Sequence, residues 1–301
     1  MNTKQDNKWL NYIKYFREQN PQLSYKQSLI EAKKSYYYYK KQFLINELSK
    51  FMKGIDKIYW INLDRSVDRR KNMEFFLKDL SIPNERIVAT DGKQDPTILS
   101  KFVLKHGVTQ QPNIYACLLS HFRAIQTFYN SGLEKALLLE DDTSLTFMKY
   151  WNQDIDTILS HIPKDWEILM MSYSLGGRAQ DDPLYSQSTR INKLDFEKNW
   201  YIPWKHGMVS CAAYIINRKG AEKIMNLYKN GLWYIDMVPH VSDYIIYKLT
   251  KTYVYKYAYF TGINENSTLH SDHLEKHRKY TEFSKNLWIE KMKNDKEKIC
   301  T

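Results

Sequence analysis

Three adjacent carboxylates follow a short apolar run in the segment LLLEDD. Glu140, Asp141 and Asp142 come directly after three leucines that suit a central strand, and open α/β sheets bind ligands at the carboxyl ends of their strands. Adjacent carboxylates repel one another and resist burial, so they favour a compensating cation. Mn²⁺ or Mg²⁺ suits this role because these hard ions take oxygen ligands and can bridge diphosphate oxygens. The pattern therefore indicates a metal and diphosphate site, with a solvated acidic strand end or a helix cap as the alternative.

Alternating strands and helices are the elements that must position these acids. Short apolar runs bounded by polar residues predict strands at residues 57–63, 86–89, 136–139, 167–172 and 211–216. Apolar residues at helical spacing predict helices at residues 67–80, 116–129 and 219–228. Tyrosines at every second position from 253 to 259 predict a further strand with two different faces. This alternation favours an α/β fold with a mostly parallel central sheet that is covered by helices on both faces.

A basic segment, residues 1–53, precedes the main domain of residues 54–301. The segment holds 11 Lys and Arg against 4 Asp and Glu, so it contributes +7 to the net charge of +11. Its pattern predicts two short helices, the second beginning at a capping box of Ser24 and Gln27, and a third helix after Tyr39. The charge could meet nucleic acid or an anionic surface, but a solvated basic helix pair is the favoured interpretation.

The composition is that of a folded globular protein. A hydrophobic content of 43% with a charged content of 26% excludes a chain that is disordered throughout. No segment approaches the ~18 consecutive apolar residues of a membrane span, and the N-terminal residues lack the apolar core of a secretory signal. Cys117, Cys211 and Cys300 are odd in number and far apart, which indicates reduced thiols. We therefore expect a cytoplasmic protein.

Four sequence blocks resemble glycosyltransferase family 25, which includes bacterial lipooligosaccharide galactosyltransferases and collagen hydroxylysine glycosyltransferases. The blocks are IYWINLDRSVDRR (58–70), RIVATDG (86–92), ACLLSHFRAI (116–125) and LLLEDD (137–142). They occur in the order typical of the family, and the resemblance covers roughly residues 55 to 275. Residues 9–36 also look like a short module found in proteins of large DNA viruses, which would place the chain in a host cytoplasm or a virion.

The resemblance implies a GT-A type fold, a UDP-sugar donor, Mn²⁺ and inversion at the anomeric carbon. The sugar would be a hexose, glucose or galactose, and the acceptor a hydroxyl of a glycan or a collagen-like protein. By the same analogy, several residues surround the donor, and Arg65 or Arg69 offsets phosphate charge. The donor residues are Asn62, Leu63 and Arg65 beside the nucleotide, Asp91 and Gly92 in the next loop, the pair Ser120 and His121, and Glu140 and Asp141.

A metal ligand set also follows from the resemblance. Asp142 is expected to hold the cation, with Glu140 or Asp141 helping. GT-A enzymes often place a further histidine ligand after the last strand, and His270 is the residue that we expect there. His273 and His277 are available as alternatives.

An inverting displacement needs a base that takes the proton of the acceptor hydroxyl, usually a carboxylate. The resemblance implies an acidic residue between the helix after CAAYII and the final strands, so Asp243 in VPHVSDYIIYKL is the first candidate and Asp236 is the second. Either aspartate could instead be a helix N-cap. The alternative function is that of a non-catalytic relative, which keeps the fold and binds nucleic acid or another polyanion through residues 1–53.

Overall fold

The computed structural model describes residues 7–144, 147, 150–151, 153–175, 200–205, 207–262, 286 and 288–294. The chain divides into two compact units, Met1–Lys50 and Phe51–Thr301. Within the described ranges, no helix combines the length and the apolar character that crossing a bilayer requires.

Two helices, α1 (Asn7–Gln19) and α2 (Tyr25–Phe51), make up the N-terminal part. The predicted capping box is confirmed, since the Ser24 N–H donates to Gln27 Oε1 at 3.0 Å and the Gln27 N–H donates to Ser24 Oγ at 3.4 Å. The predicted third helix is wrong. No glycine or proline interrupts the chain after Tyr25, so α2 continues as one helix to Phe51. A small apolar cluster joins α1 to the first part of α2, and its members are Tyr12, Ile13 and Ala32 with Trp9, Phe16, Leu29 and Tyr36 around them.

Among the described residues of the second unit, seven strands form the central sheet and seven others form three smaller sheets. In chain order the strands are β1 (Lys57–Asn62), β2 (Asn84–Val88), β3 (Phe102–Leu104), β4 (Lys135–Glu140), β5 (Thr143–Ser144), β6 (Ile168–Met170), β7 (Ser174–Leu175), β8 (Tyr201–Pro203), β9 (Met208–Val209), β10 (Ala213–Asn217), β11 (Tyr228–Lys229), β12 (Leu232–Ile235), β13 (Thr252–Tyr255) and β14 (Thr261–Gly262). The helices of this unit include α3 (Val67–Leu77), α4 (Pro112–Asn130), α5 (Ile155–His161), α6 (Arg218–Met225) and α7 (Ser242–Leu249), with a 3₁₀-helix at Ile98–Lys101.

The central sheet has the strand order β2-β1-β4-β10-β6-β13-β8. Strand β1 runs parallel to both β2 and β4, and β6 runs parallel to β13. Strand β10 lies antiparallel to β4 and β6, and β8 lies antiparallel to β13. Strands β2, β1, β4, β6 and β13 therefore point the same way, which confirms an α/β fold with a mostly parallel sheet. This architecture is consistent with the GT-A type.

The late tyrosine-rich segment differs from its prediction. Strand β13 ends at Tyr255, and Tyr257 and Tyr259 follow it in irregular backbone. All four alternating tyrosines are buried, and so are Val254 and Ala258 between them. The predicted strand is therefore confirmed only as far as Tyr255, and its extension to Tyr259 is wrong. Tertiary packing explains this burial. Strand β13 lies inside the sheet, and the Trp151 ring stacks on Tyr259 with the ring centroids 4.7 Å apart.

The end of β4 is fixed by its neighbours in the sheet. Its residues 136–139 are buried, and β1 and β10 pair with it on its two sides. Helix α4 begins with Pro112 at its first turn, a position that tolerates proline because the missing N–H has no helical partner there. Tyr115, Leu118 and Phe122 recur along its buried face. This packing places the carboxyl ends of β1 and β4 close to the middle of α4.

Candidate active site

The acid cluster begins where β4 leaves the sheet. The side chains of Asp141 and Asp142 are 9% and 15% exposed, so the predicted carboxylates are largely enclosed by protein. Arg69 of α3 lies against both, with Nη1 2.9 Å from Asp141 Oδ1 and 3.3 Å from Asp142 Oδ2. The alternative of a fully solvated acidic strand end therefore does not describe these two residues.

Electrostatics in this cluster favour added positive charge. Burial, reinforced by the charges of Glu140 and Asp141 and opposed by Arg69, raises the pKa of Asp142 to about 7. Burial by itself would lower the pKa of Arg69, but the charges of Asp142 and Asp141 raise that pKa overall. A carboxyl group that resists ionisation beside other carboxylates gains from a nearby cation. The donor set also fits Mn²⁺ or Mg²⁺, because both ions prefer carboxylate oxygens.

Asn62 at the end of β1 holds the cluster in place. Its Nδ2 donates to Asp141 Oδ2 at 2.6 Å and to the Ser66 carbonyl at 3.2 Å, and the side chain is buried. Its Oδ1 accepts from Arg86 Nε at 2.9 Å, and Arg86 Nη2 also donates to Asp64 Oδ1 at 2.6 Å. Both amide hydrogens of Asn62 are therefore used within the protein. The sequence analysis did not single out Arg86, although it lies in the RIVATDG block.

The loop after β2 carries Asp91 and Gly92 towards the same edge of the sheet. Arg65 Nε donates to Asp91 Oδ2 at 2.6 Å, and the Lys93 N–H donates to Asp91 Oδ1 at 3.0 Å. Burial opposes ionisation of Asp91, but these two partners lower its pKa overall. Leu63 is half-buried, and its carbonyl accepts the Ser66 N–H at 2.9 Å. The structure thus joins the two loops that were predicted to surround a nucleotide.

Helix α4 fixes that loop through two predicted residues. Ser120 Oγ accepts the Thr90 N–H at 2.9 Å and donates to the Ala116 carbonyl at 2.7 Å. A Cβ atom added to Gly92 would lie 2.5 Å from Asn113 Cα, which is closer than atoms can pack. Glycine is therefore required here by the close approach of α4. Ser120 positions the loop through bonds to backbone atoms.

His121 lies one residue further along α4 and is 1% exposed. Its Nε2 is 3.1 Å from Glu140 Oε1, and its Nδ1 is 3.2 Å from the Tyr214 hydroxyl on β10. Burial opposes protonation, but Cys117 and Glu140 outweigh it and raise the pKa of His121 to about 10. The ligand atoms of Cys117, His121 and Glu140 lie within 4.8 Å of one another. The analysis of the sequence missed Cys117 and Tyr214, although the four-residue spacing of Cys117 and His121 was a visible signal.

The two candidate bases lie in different surroundings. Asp243 is partly buried in the first turn of α7, and its Oδ2 accepts the Ser210 N–H at 3.2 Å. Burial raises its pKa despite the hydrogen bonds from Ser210 and Tyr244. Val241 is the N-cap of α7, so the N-cap alternative is wrong for Asp243. Asp236 is exposed, and its carbonyl lies 2.8 Å from His106 Nε2.

Asp243 is connected to the acid cluster through a short segment before β10. Ser210 contacts Asp243, and two residues later the Ala212 carbonyl accepts the Glu140 N–H at 2.9 Å. Ser210 has a φ of 120°, which is rare for a residue with a side chain. The Tyr247 hydroxyl and the Ala212 N–H both bond to Ser210, at 2.7 and 3.2 Å, and hold this conformation. Strained residues that are held in this way are typical of functional sites.

The predicted histidine ligand falls outside the described part of the chain. His270, together with His273 and His277, lies in residues 263–285. The described residues therefore bring together the predicted residues of β1, α4, β4 and their loops, with Asp243 nearby and Asp236 on the surface.

Comparison with known proteins relates the part of the chain that contains this site to one family. The family model described as glycosyltransferase family 25 (LPS biosynthesis protein) matches residues 55–239, which is more than half of the chain. Procollagen galactosyltransferase 1 of Danio rerio is 26% identical over 185 residues, which cover 57% of this chain and 28% of that protein. A glycosyltransferase 25 family member of Drosophila melanogaster is 30% identical over 120 residues, covering 36% of this chain and 19% of the relative.

These relatives are much longer than the matched region, so the chain corresponds to only about a quarter of their length. Among solved structures, a nucleoside-diphosphate-sugar pyrophosphorylase from Vibrio cholerae is similar at 10% identity, over 70% of this chain and 76% of that one, with a TM-score of 0.28.

Proposed function

Because the chain belongs to glycosyltransferase family 25, we propose that it transfers a hexose from a UDP-sugar to a hydroxyl acceptor, with inversion at the anomeric carbon. Galactose and a collagen-like acceptor are the favoured substrates, since the Danio rerio relative carries the name procollagen galactosyltransferase. Glucose and a glycan acceptor are the alternatives, because discrimination between such hexoses depends on contacts to one or two hydroxyl groups.

The enclosed acid cluster is the observation that carries this proposal. The family match spans Asp141 and Asp142, and burial raises the pKa of Asp142 beside its acidic neighbours. Asp142 would hold Mn²⁺ or Mg²⁺, with Asp141 or Glu140 as helpers. The cation would supply Lewis-acid stabilisation of the charge that develops on the diphosphate.

Arg69 and Asn62 would act on the donor side of the reaction. As the bond between the anomeric carbon and the diphosphate oxygen breaks, its electron pair passes to UDP. The Arg69 guanidinium, already 2.9 Å from Asp141, would offset part of that negative charge. Asn62 would orient Asp141 through its 2.6 Å hydrogen bond, and Arg65 with Asp91 would line the nucleotide side of the site.

Asp243 would serve the acceptor side. The acceptor hydroxyl forms the new bond to the anomeric carbon and gives its proton to the Asp243 carboxylate. Burial raises the pKa of Asp243, and a carboxylate with a raised pKa accepts a proton more readily than an exposed one. Asp236 is exposed and hydrogen-bonds to His106 only through its backbone carbonyl in the described structure, so it is the second choice.

A donor screen on the full chain tests the proposal. UDP release is measured with UDP-galactose, UDP-glucose and other UDP-sugars, with Mn²⁺ and with a chelator. We expect metal-dependent release that Asp142→Ala lowers by at least about 100-fold, the loss typical of removing one electrostatic stabiliser. Asp165→Ala is the matched control, because this aspartate is exposed and pairs with Lys251 away from the cluster.

The alternative function predicts a different outcome of the same screen. A non-catalytic binding protein would release no UDP from any donor, with or without metal, although it could still bind polyanions through residues 1–53. Equal turnover in the wild type and in Asp142→Ala would also contradict the proposed role of the acid cluster.

A further inference from the structure

A second group of potential metal ligands lies beside the acid cluster. Cys117 and His121 are four residues apart and therefore lie on one face of α4. Glu140 at the end of β4 faces them, and the ligand atoms of the three side chains lie within 4.8 Å of one another. We propose that Cys117, His121 and Glu140 form a site for a soft divalent cation, with Zn²⁺ as the natural occupant.

The donor chemistry separates this site from the carboxylate cluster. Thiolate and imidazole ligands favour Zn²⁺, whereas Mn²⁺ and Mg²⁺ favour carboxylate and water oxygens. One sulfur, one nitrogen and one carboxylate oxygen make a three-ligand set that leaves the fourth tetrahedral position open. Asp141 and Asp142 offer only carboxylate oxygens and contact Arg69. The two groups of ligands should therefore select different ions.

The orientation of His121 supports a cation at this place. Its Nδ1 is 3.2 Å from the Tyr214 hydroxyl, a contact in which Nδ1–H can donate to the phenol oxygen. In that tautomer the lone pair of Nε2 faces Glu140 Oε1 at 3.1 Å. A cation between these two atoms would take the Nε2 lone pair and a Glu140 oxygen as ligands. Tyr214 then acts as the outer partner that metal-bound histidines usually have.

A metal ion can reach this site from solvent, and the protons that its binding displaces pass to solvent. The Glu140 side chain is 32% exposed, and Cys117 is partly exposed, so an ion can reach the group from solvent. On binding, the Cys117 thiol loses its proton to solvent, and so does the His121 nitrogen that becomes a ligand. No oxidant or other reactant is required.

Occupation of this site has a consequence for catalysis that rests on the proposed function. Glu140 belongs to both groups, so Zn²⁺ bound by Cys117 and His121 would hold its carboxylate away from the donor cation. Zn²⁺ should then inhibit transfer in the presence of Mn²⁺. Cys117→Ser should keep its basal turnover and resist Zn²⁺ at least about 10-fold better than the wild type.

Cobalt spectroscopy tests the site without any turnover. Co²⁺ is titrated into the full metal-free chain, and a thiolate charge-transfer band is recorded in the near ultraviolet. We expect the band to reach its maximum at one equivalent and to disappear when Zn²⁺ is added. Cys117→Ser should abolish the band and weaken Zn²⁺ binding at least about 100-fold, the upper end of the loss from a disturbed outer ligand shell.

Three further variants keep the experiment decisive. Cys211→Ser removes a thiol outside the group and should retain the band, and Asp142→Asn should retain it while losing Mn²⁺ binding. Tyr214→Phe keeps all three ligands and should weaken Zn²⁺ binding by roughly 10-fold. The proposal is overturned by the absence of a band in the wild type, by a band that survives in Cys117→Ser, or by its loss in Asp142→Asn. An inert enzyme with an intact band would contradict only the proposed function.

Discussion

Burial raises the pKa of both Asp142 and Asp243, but the two carboxyl groups have different partners. Asp142 has two acidic neighbours and the Arg69 guanidinium at 3.3 Å. Asp243 accepts backbone N–H groups from Ser210 and Tyr244. The first arrangement suits a ligand for a doubly charged ion. The second holds a carboxylate in a fixed orientation and leaves its charge without an ion pair among the described contacts, as a base requires.

Replacement of Asp243 by asparagine should remove the general base. We expect Asp243→Asn to lower kcat/KM by about 10²–10⁴-fold, the usual contribution of acid-base catalysis. In the wild type the ionised form accepts the proton, so kcat/KM should fall as the pH decreases through the raised pKa of Asp243. That decline should begin above the ordinary aspartate range near ~3.9. Steady-state kinetics as a function of pH measures both effects.

Asp236→Asn is the control for this prediction, and it should leave kcat/KM within about 3-fold of the wild type, because a surface substitution of this kind usually has little effect. If Asp236→Asn is instead the variant in which kcat/KM no longer falls as the pH decreases, Asp236 is the base and Asp243 is not.

Replacement of Asp142 by asparagine should stabilise the metal-free protein. The pKa of Asp142 is about 7 in the folded chain against an ordinary 3.8, so the folded state binds this proton more tightly than the unfolded state. Ionisation of Asp142 therefore costs stability, and the cost grows as the pH rises from about 4 to about 7. We expect Asp142→Asn to gain roughly 1–3 kcal/mol at pH ~8, because each pKa unit corresponds to about 1.4 kcal/mol and Arg69 loses one partner.

Urea unfolding in the presence of a chelator measures this gain. The gain should be smaller at pH ~5, where the wild type carries more of the proton. A variant that is less stable than the wild type at pH ~8 would show that Arg69 fully compensates the buried charge.

At the scale of elements, the site depends on how closely α4 approaches the loop after β2. The hydroxyl of Ser120 ties the loop to the helix, and Gly92 permits contact with the backbone of Asn113. The loop carries Asp91, which pairs with Arg65 from the loop after β1. Helix α4 thus holds the loop after β2 directly, and Asp91 in that loop holds Arg65 of the loop after β1.

Gly92→Ala should disturb this packing. Its Cβ would lie 2.5 Å from Asn113 Cα, so either the loop or the first turn of α4 must move. We expect a loss of about 1–3 kcal/mol in the free energy of unfolding, typical of overpacking, and a raised KM for the donor. Gly107→Ala is the matched control: it has open space around the new methyl group and a φ of +70°. It should cost about 1–2 kcal/mol by strain alone and leave the KM unchanged. Equal KM values in the two variants would contradict the positioning role of the loop.

The sequence predicted most elements because their signals are local. The apolar runs at β1, β4 and β10 and the helical spacing in α4 depend on neighbouring residues, and the structure confirms them within a few residues. The contacts that Asn62 and His121 make with other strands depend instead on the register and topology of the sheet. Arg86 reaches Asn62 because β2 pairs parallel with β1, and Tyr214 reaches His121 because β10 inserts antiparallel beside β4.

The extent of β13 was wrong for a related reason. Alternation of tyrosine with other residues indicates a strand with two faces, but it does not show where the strand ends. In the fold, Tyr253, Val254 and Tyr255 are all buried between β6 and β8. Tyr253 and Tyr255 share one face of the strand and Val254 lies on the other, so both faces are buried.

At the scale of the whole molecule, the unfolding of the two compact units can be measured separately. Trp9 is the single tryptophan among residues 1–50, whereas the other seven of the chain's 8 tryptophans lie in residues 51–301. Tryptophan fluorescence therefore reports mainly on the unit that contains the acid cluster. A thermal transition recorded in this way avoids the assumption that both units unfold together.

Binding of UDP should stabilise that unit only when a divalent cation is present. A ligand at 100 times its Kd adds about 2.7 kcal/mol to the free energy of unfolding, which corresponds to a rise in Tm of ~5–10 °C for a domain of roughly 250 residues. We expect this rise with UDP and Mn²⁺ together, and a much smaller one with UDP and a chelator, because the Asp141 and Asp142 carboxylates repel the diphosphate. Asp142→Asn should lose most of the rise, whereas Cys117→Ser should keep it, since the thiol lies outside the carboxylate cluster. An equal rise in Tm with and without metal would mean that Arg65 and Arg69 bind the nucleotide without the help of an ion.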